Sequence, residues 1–138
     1  MESRKKHILA VGSIAIDTIE TPNGNRDGVL GGSAMYFSLS ASLFAPIKLV
    51  GIVGNDYPQE GWNIFQSRDI NIDNIQVIEG ETFRWGGRYS KDYRVRDTLF
   101  TKLGVFENFF PSINPKDIAT PLVFLGNIHP DLQLGVAK

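Results

Sequence analysis

Apolar positions fall into short runs separated by glycine, proline and polar turns, and the runs change character along the chain. Residues 7–12 are an almost continuous apolar run ending in Gly12, the pattern of a strand covered on both faces. Over 13–20, Ile14, Ile16, Thr18 and Glu20 alternate with Ala15, Asp17 and Ile19, which suits a strand with one wetter face. Pro22-Asn23-Gly24-Asn25 is turn chemistry and predicts a hairpin pairing 14–20 with 26–30. Gly31-Gly32 then precedes 33–45, which lacks glycine and proline and predicts a helix, with Ser33 as its N-cap and Pro46 ending it. Residues 47–53 form another apolar run closing on Gly54, and 58–68 read as a second helix. Strand, helix, strand, helix is the order of a parallel α/β sheet.

The middle differs. Residues 72–105 are β-rich and broken by Gly80, Gly86, Gly87 and Gly104, which predicts antiparallel strands near 75–78, 82–90 and 97–105. Residues 122–125 return to the buried-strand pattern, as the third core strand, and a helix is expected from Asp131.

Composition narrows the function classes. The 138 residues are 42% hydrophobic and 21% charged, which excludes a disordered tail or a coiled coil. A net charge of −1 gives no reason to expect a polyanionic partner. The absence of cysteine excludes disulfides, thiolate metal sites and a cysteine nucleophile within these residues, and fits a cytoplasmic address. Arg4-Lys5-Lys6 before an apolar run mimics a secretory leader. That run is short, holds Gly12 and Ser13 and meets Asp17, so a buried first strand is expected. No apolar stretch approaches the ~18 residues of a spanning helix, so no membrane partner is expected.

An open α/β sheet binds ligands past the carboxyl ends of its strands, here beyond Val11, Val53 and Leu125. Asp17, a lone carboxylate in an apolar strand, reads either as an acceptor for ligand hydroxyls or as a cap of the hairpin. Gly31-Gly32 lets a ligand approach the backbone or makes a plain turn. Asp56 reads first as a turn or N-cap residue for the second helix. From Arg84 to Lys102, six Lys+Arg stand against two Asp. Such a stretch can bind single-stranded nucleic acid. The alternation places Arg84, Gly86 and Arg88 on one face and Trp85, Gly87 and Tyr89 on the other. A lid over a small molecule, with solvated arginines, is the preferred reading over a nucleic-acid surface. His7 and His129 have no carboxylate at metal spacing and read as structural or exposed.

Taken together, the motifs resemble the PfkB/ribokinase-like family of carbohydrate and nucleoside kinases. The matching residues are Gly12-Ser13 with Asp17; Gly31-Gly32-Ser33-Ala34 opening the helix through Leu43; Gly51 to Gly54 with Asn55-Asp56; Phe65 to Ile72; and Thr82 at the start of a lid strand. The match is collinear over essentially the whole chain. It is most similar to uncharacterised sugar-kinase-like members with a Phe-Arg-Trp-x-Gly-Arg-Tyr lid. Tyr36 stands where the family often carries asparagine, Ala15 where ribokinases proper carry asparagine, and Asp69 where glycine is usual.

The resemblance implies a ribokinase-like α/β fold: a Rossmann-like core with a small antiparallel β-sheet lid, cut after the third core strand. Residues 1–138 would be the N-terminal part of the kinase domain, with lid segments at about 14–30 and 72–105. It implies substrate-binding roles for Asp17, for Gly31 and Gly32 as hinge and backbone contact, for Ser33 and Tyr36, for Trp85 and Gly87 closing over the substrate, and for Asn127. No metal-binding residue is expected. The family's Gly-Ala-Gly-Asp motif, with its catalytic base and phosphate-stabilising helix end, does not occur in this sequence. No catalytic residue is therefore assigned. The expected activity is that of the complete kinase, transfer of the ATP γ-phosphate to a sugar or nucleoside hydroxyl with Mg²⁺. This chain alone would be inactive and would not hold ATP tightly. The alternative is a non-catalytic sugar- or nucleoside-binding or regulatory protein on the same half-fold. A homodimer through the lid strands is a further implication of the resemblance.

Overall fold

The computed structural model describes residues 6–138, so Arg4 and Lys5 of the leader-like start lie outside the described residues. Strands β1 (Ile8–Val11), β4 (Ile47–Gly54), β5 (Ile70–Ile78) and β8 (Leu122–Leu125) form a parallel sheet in the order β5-β4-β1-β8. Alternation along β1 and β4 serves two cores at once. Ala10, Ile47, Leu49 and Val53 pack on one side against helices α1 (Ser33–Ala41) and α2 (Gln59–Gln66), with Met35 and the fully buried Phe65. Leu9, Val11, Val50 and Ile52 face the other way, onto Val105, Phe109 and Ile128, with Leu132 and Val136 of α3 (Pro130–Ala137) alongside. Burial on both faces is why these strands read as continuous apolar runs.

The second sheet has the order β3-β2-β6-β7, from β2 (Ala15–Thr21), β3 (Gly24–Gly31), β6 (Phe83–Tyr89) and β7 (Arg96–Lys102). β2–β3 and β6–β7 are antiparallel hairpins, and the predicted first hairpin is present. β2 and β6 pair in parallel, so the lid is a mixed sheet rather than a purely antiparallel one. Each hairpin leaves the core from a strand end of the same parallel sheet, and two hairpins launched alike meet side by side in the same direction.

The expected antiparallel strand at 75–78 is instead the end of β5, parallel to β4 and part of the core sheet. Its polar residues suggested a lid. Asn74 is in fact buried, donating from Nδ2 to Asp117 Oδ2 (2.9 Å) and accepting from Asn114 N–H (2.7 Å). Lys48 Nζ lies 2.7 Å from the other oxygen of Asp117. This network ties the long return segment to the sheet edge. α1 ends at Ala41 rather than 45, where Ser42 turns its hydroxyl back onto the carbonyl of Leu39 (2.9 Å). No helix of the described residues is long and apolar enough to cross a membrane.

Candidate functional site

Chain direction brings the ends of β1 and β8, the start of α1 and the inner face of the lid around one open cleft of about 510 Å³. Ser13, Asp17, Gly32, Ser33, Tyr36, Trp85 and Asn127 line it, so six of the eight residues singled out from sequence come together. Gly31 and Gly87 do not line it. Each instead makes room for a neighbour that does. A Cβ on Gly31 would collide with the Asp17 carboxylate, 2.8 Å from its Cγ. A Cβ on Gly87 would strike the indole of Trp85, 2.7 Å from Cζ2. That ring lies back across the strand two residues on, over a position only glycine leaves open.

Asp17 is half-buried, and burial pushes its carboxyl up from 3.8 to about 6. Neither carboxylate oxygen has a hydrogen-bond partner among the described residues. It does not cap the hairpin; Thr21 does that work, its hydroxyl donating to the carbonyl of Gly24 (2.8 Å) and accepting the N–H of Asn23 (3.2 Å). Asp17 is thus an unsatisfied acceptor aimed into a cleft, where donors must come from a ligand or from water.

Ser33 is not the N-cap of α1. Gly32 occupies that position with φ +102°, a backbone conformation that favours glycine. The Ser33 hydroxyl accepts the N–H groups of Ser13 (3.3 Å) and Asn127 (3.0 Å), clamping the two core-strand ends together. The side chain of Asn127 is left exposed at the cleft mouth. Tyr36 donates its hydroxyl to the carbonyl of Leu30 (3.3 Å), bridging α1 to the end of β3.

Asp56 does not cap α2, whose N-cap is Pro58. Its Oδ1 accepts from both the N–H (2.9 Å) and the hydroxyl (2.6 Å) of Thr82, and Oδ2 accepts from Arg84 (3.0 Å). Thr82 is fully buried and itself accepts the N–H of Gly54 (2.9 Å). Desolvation pushes the Asp56 carboxyl up. The bonds from Thr82 and Arg84 outweigh it and hold the carboxyl below its ordinary 3.8. This is a structural joint between the core and the lid.

Sequence reasoning missed Phe83 and Arg96 on the lid face of the cleft, and it placed Tyr89 on that face beside Trp85 without assigning it a ligand contact. Alternation with Trp85 marks Phe83 and Tyr89. Arg96 enters only through the β6–β7 register, which sets it opposite Tyr89, and its guanidinium sits 5.0 Å from the Trp85 ring centroid. Three other cations of the basic stretch are ion-paired: Arg84 to Asp56, Arg88 to Glu20 and Arg94 to Asp92. His129 is exposed and caps α3, accepting the N–H of Asp131 at Nδ1 (3.2 Å). Among the described residues no three His, Cys, Asp or Glu side chains cluster as a metal site.

No family model matches the chain. A cytidine kinase of Thermococcus kodakarensis is 30% identical over 129 residues, covering 92% of this chain and 45% of that protein. Among solved structures, the nucleoside kinase of Methanocaldococcus jannaschii, an archaeal member of the ribokinase family, superposes with a TM-score of 0.74 at 24% identity, over 99% of this chain and 50% of that one. Ribokinase from Cryptococcus neoformans var. grubii serotype A, in complex with ADP, gives 0.76 at 16% identity, over 96% and 44%. The chain spans about half the length of the proteins it matches. The solved structures show the fold, a Rossmann-like core with a smaller lid sheet. The cytidine kinase is a relative in sequence over less than half of its own length.

Proposed function

We propose that this chain is the substrate-binding and lid half of an ATP-dependent kinase acting on a sugar or nucleoside hydroxyl. The observation that carries the reading is Asp17: a half-buried carboxylate without a partner among the described residues, facing a cleft roofed by Trp85 and Tyr89. An ionised carboxylate takes donors only, and a polyol supplies them in pairs. The aromatic roof suits the apolar face of a sugar or the plane of a base. The names of the relatives, a cytidine kinase and a nucleoside kinase, point to the same ligand class.

Phosphoryl transfer also needs a base or orienting group and stabilisation of the phosphoryl oxygens. The cleft residues do not meet those needs. Among the described lining residues Asp17 is the one carboxylate and Arg96 the one cation, its guanidinium set against the Trp85 ring, and no cluster of three acidic or histidine side chains occurs among the described residues. ATP and Mg²⁺ would be held by residues outside this chain, in the half of the kinase that the relatives' lengths leave unmatched. β8 supports the same reading. Its Leu-Val-Phe-Leu run has the pattern of a strand covered on both faces, yet it is a sheet edge with Leu122 and Val123 about half exposed (47% and 48%). A cytoplasmic address and a homodimer through the lid strands complete the proposal.

The test is a titration of the purified chain with cytidine and with ribose, followed by tryptophan fluorescence. Saturable binding that Asp17→Asn weakens about thirtyfold, without ATP consumption, is the expected result. Sugar-dependent ATP turnover by the 138 residues would refute the half-enzyme reading. No binding of either ligand would refute the cleft assignment.

A further inference from the structure

The hydrogen bonds joining Ser13 to Ser33 leave one proton without an acceptor. Ser33 Oγ receives two backbone N–H groups, from Ser13 and Asn127, and these fill both its lone pairs. Its third partner, Ser13 Oγ at 3.2 Å, must then take the Ser33 proton. Ser13 Oγ also receives the N–H of Ser33 at 3.0 Å, so its own lone pairs are full. The opposite assignment, Ser13 donating to Ser33, would require one hydroxyl oxygen to accept three bonds. The only hydrogen-bonding capacity left is the Ser13 proton. No acceptor for it is present among the described residues, and Ser13 lines the cleft. The arrangement is tightly built. A Cβ on Gly12 or on Gly126 would come within 2.7 or 2.8 Å of Ser33 Oγ, so both neighbouring loops close around that hydroxyl.

We propose that Ser13 is a specificity-determining residue, a hydrogen-bond donor of fixed polarity, and that Ser33 is the positioning residue that fixes it. The cleft thus carries two opposite signs on one strand-to-strand segment: a donor at Ser13 and an acceptor at Asp17. A ligand that fits offers a sugar oxygen as acceptor to Ser13 and hydroxyl protons to Asp17. A ligand with a donor at the Ser13 position is rejected. The polarity follows from the bonding pattern alone; the sugar oxygen rests on the functional reading above.

Two experiments separate these parts. A neutron structure of the perdeuterated, ligand-free chain should place the Ser33 deuteron between the two hydroxyl oxygens and the Ser13 deuteron on the cleft side. A Ser13 deuteron directed at Ser33 Oγ overturns the proposal. In solution, cytidine, its 2′-, 3′- and 5′-deoxy analogues and 4′-thiocytidine are titrated into the wild type, Ser13→Ala, Ser33→Ala and Ser33→Thr. Ser13→Ala should weaken cytidine roughly three- to tenfold, the usual range for one hydrogen bond. One analogue, already weaker for the wild type, should lose nothing further in Ser13→Ala. Ser33→Ala should abolish that coupling and Ser33→Thr should restore it. Losses that add for all four analogues overturn the ligand contact. A Ser33→Ala that changes stability and leaves the coupling intact overturns the positioning role. If the wild type binds neither cytidine nor ribose, the functional reading fails, and the neutron structure still decides the polarity of Ser13.

Discussion

Asp17 and Asp56 each sit where lid and core meet, and their surroundings are opposite. Asp56 is saturated: two bonds from Thr82 and one from Arg84 hold its carboxyl below 3.8. Asp17 has no donor among the described residues, and burial pushes its carboxyl up to about 6. A charge with a full set of partners is a joint. A charge held partly out of water without them costs stability, and this contrast is what supports the ligand role proposed for Asp17.

The largest expected effect lies at the saturated site. Asp56→Ala leaves the N–H and hydroxyl of the fully buried Thr82 without their acceptor, a loss of about 2–3 kcal/mol in urea unfolding. Because the folded carboxyl titrates below its unfolded value, the Asp56 contribution is present above 3.8 and lost as pH falls through the lowered folded value. A variant as stable as the wild type at neutral pH would erase the distinction between the two aspartates.

Asp17 should respond with the opposite sign. Its folded value of about 6 lies above 3.8, so the folded chain binds the proton more tightly than the unfolded one. Its cost is full above 6, fades as pH falls between 6 and 3.8, and is absent below. Asp17→Asn should therefore raise Tm at about pH 7.5 and match the wild type near about pH 3.5. The same substitution should weaken cytidine by about 2 kcal/mol, roughly thirtyfold, through loss of charge-assisted bonds. Wild-type affinity should fall as pH drops through 6, where the carboxylate becomes protonated. Lower thermal stability of Asp17→Asn at neutral pH would show a structural carboxylate instead.

The two sites also differed in how far the sequence disclosed them. Asp17 stood out because a charge interrupts an apolar strand, although the sequence left a ligand acceptor and a hairpin cap as equal readings. Asp56 did not, since its partners Thr82 and Arg84 lie 26 and 28 residues away, across a strand boundary. The parallel core strands were legible because burial on both faces writes a continuous apolar run. β5 was not, because its polar residues serve a network reaching 43 residues ahead, from Asn74 to Asp117. Ser33 invited the wrong role for the same reason. A serine at a helix start usually caps it, and the pull of Ser13 and Asn127 on its hydroxyl is visible only in three dimensions.

Gly87→Ala tests the lid side of the contrast. The added methyl group collides with the Trp85 indole, which must leave its place across the strand. The ring is only half-buried and can swing outward, so the stability loss should be about 1 kcal/mol, at the low end for an overpacked site. Tryptophan emission should shift to the red and cytidine should no longer perturb it. Unchanged emission would mean that the indole does not depend on Gly87.

The smallest expected effect is at Arg96, which caps the Trp85 ring from the neighbouring strand. An exposed cation–π contact is worth about 0.5–1 kcal/mol, so Arg96→Ala should barely move the unfolding midpoint. Its value is in what it does to the roof. With the guanidinium gone, the indole keeps its Gly87 seat and loses one of its two restraints. Cytidine affinity should fall by no more than about fivefold, the equivalent of that contact. Arg96→Lys keeps the charge and loses the planar stack, so it should recover only part of the affinity. Full recovery by lysine would make Arg96 a charge that attracts the ligand, and the lid face would then read its ligand by charge as well as by shape.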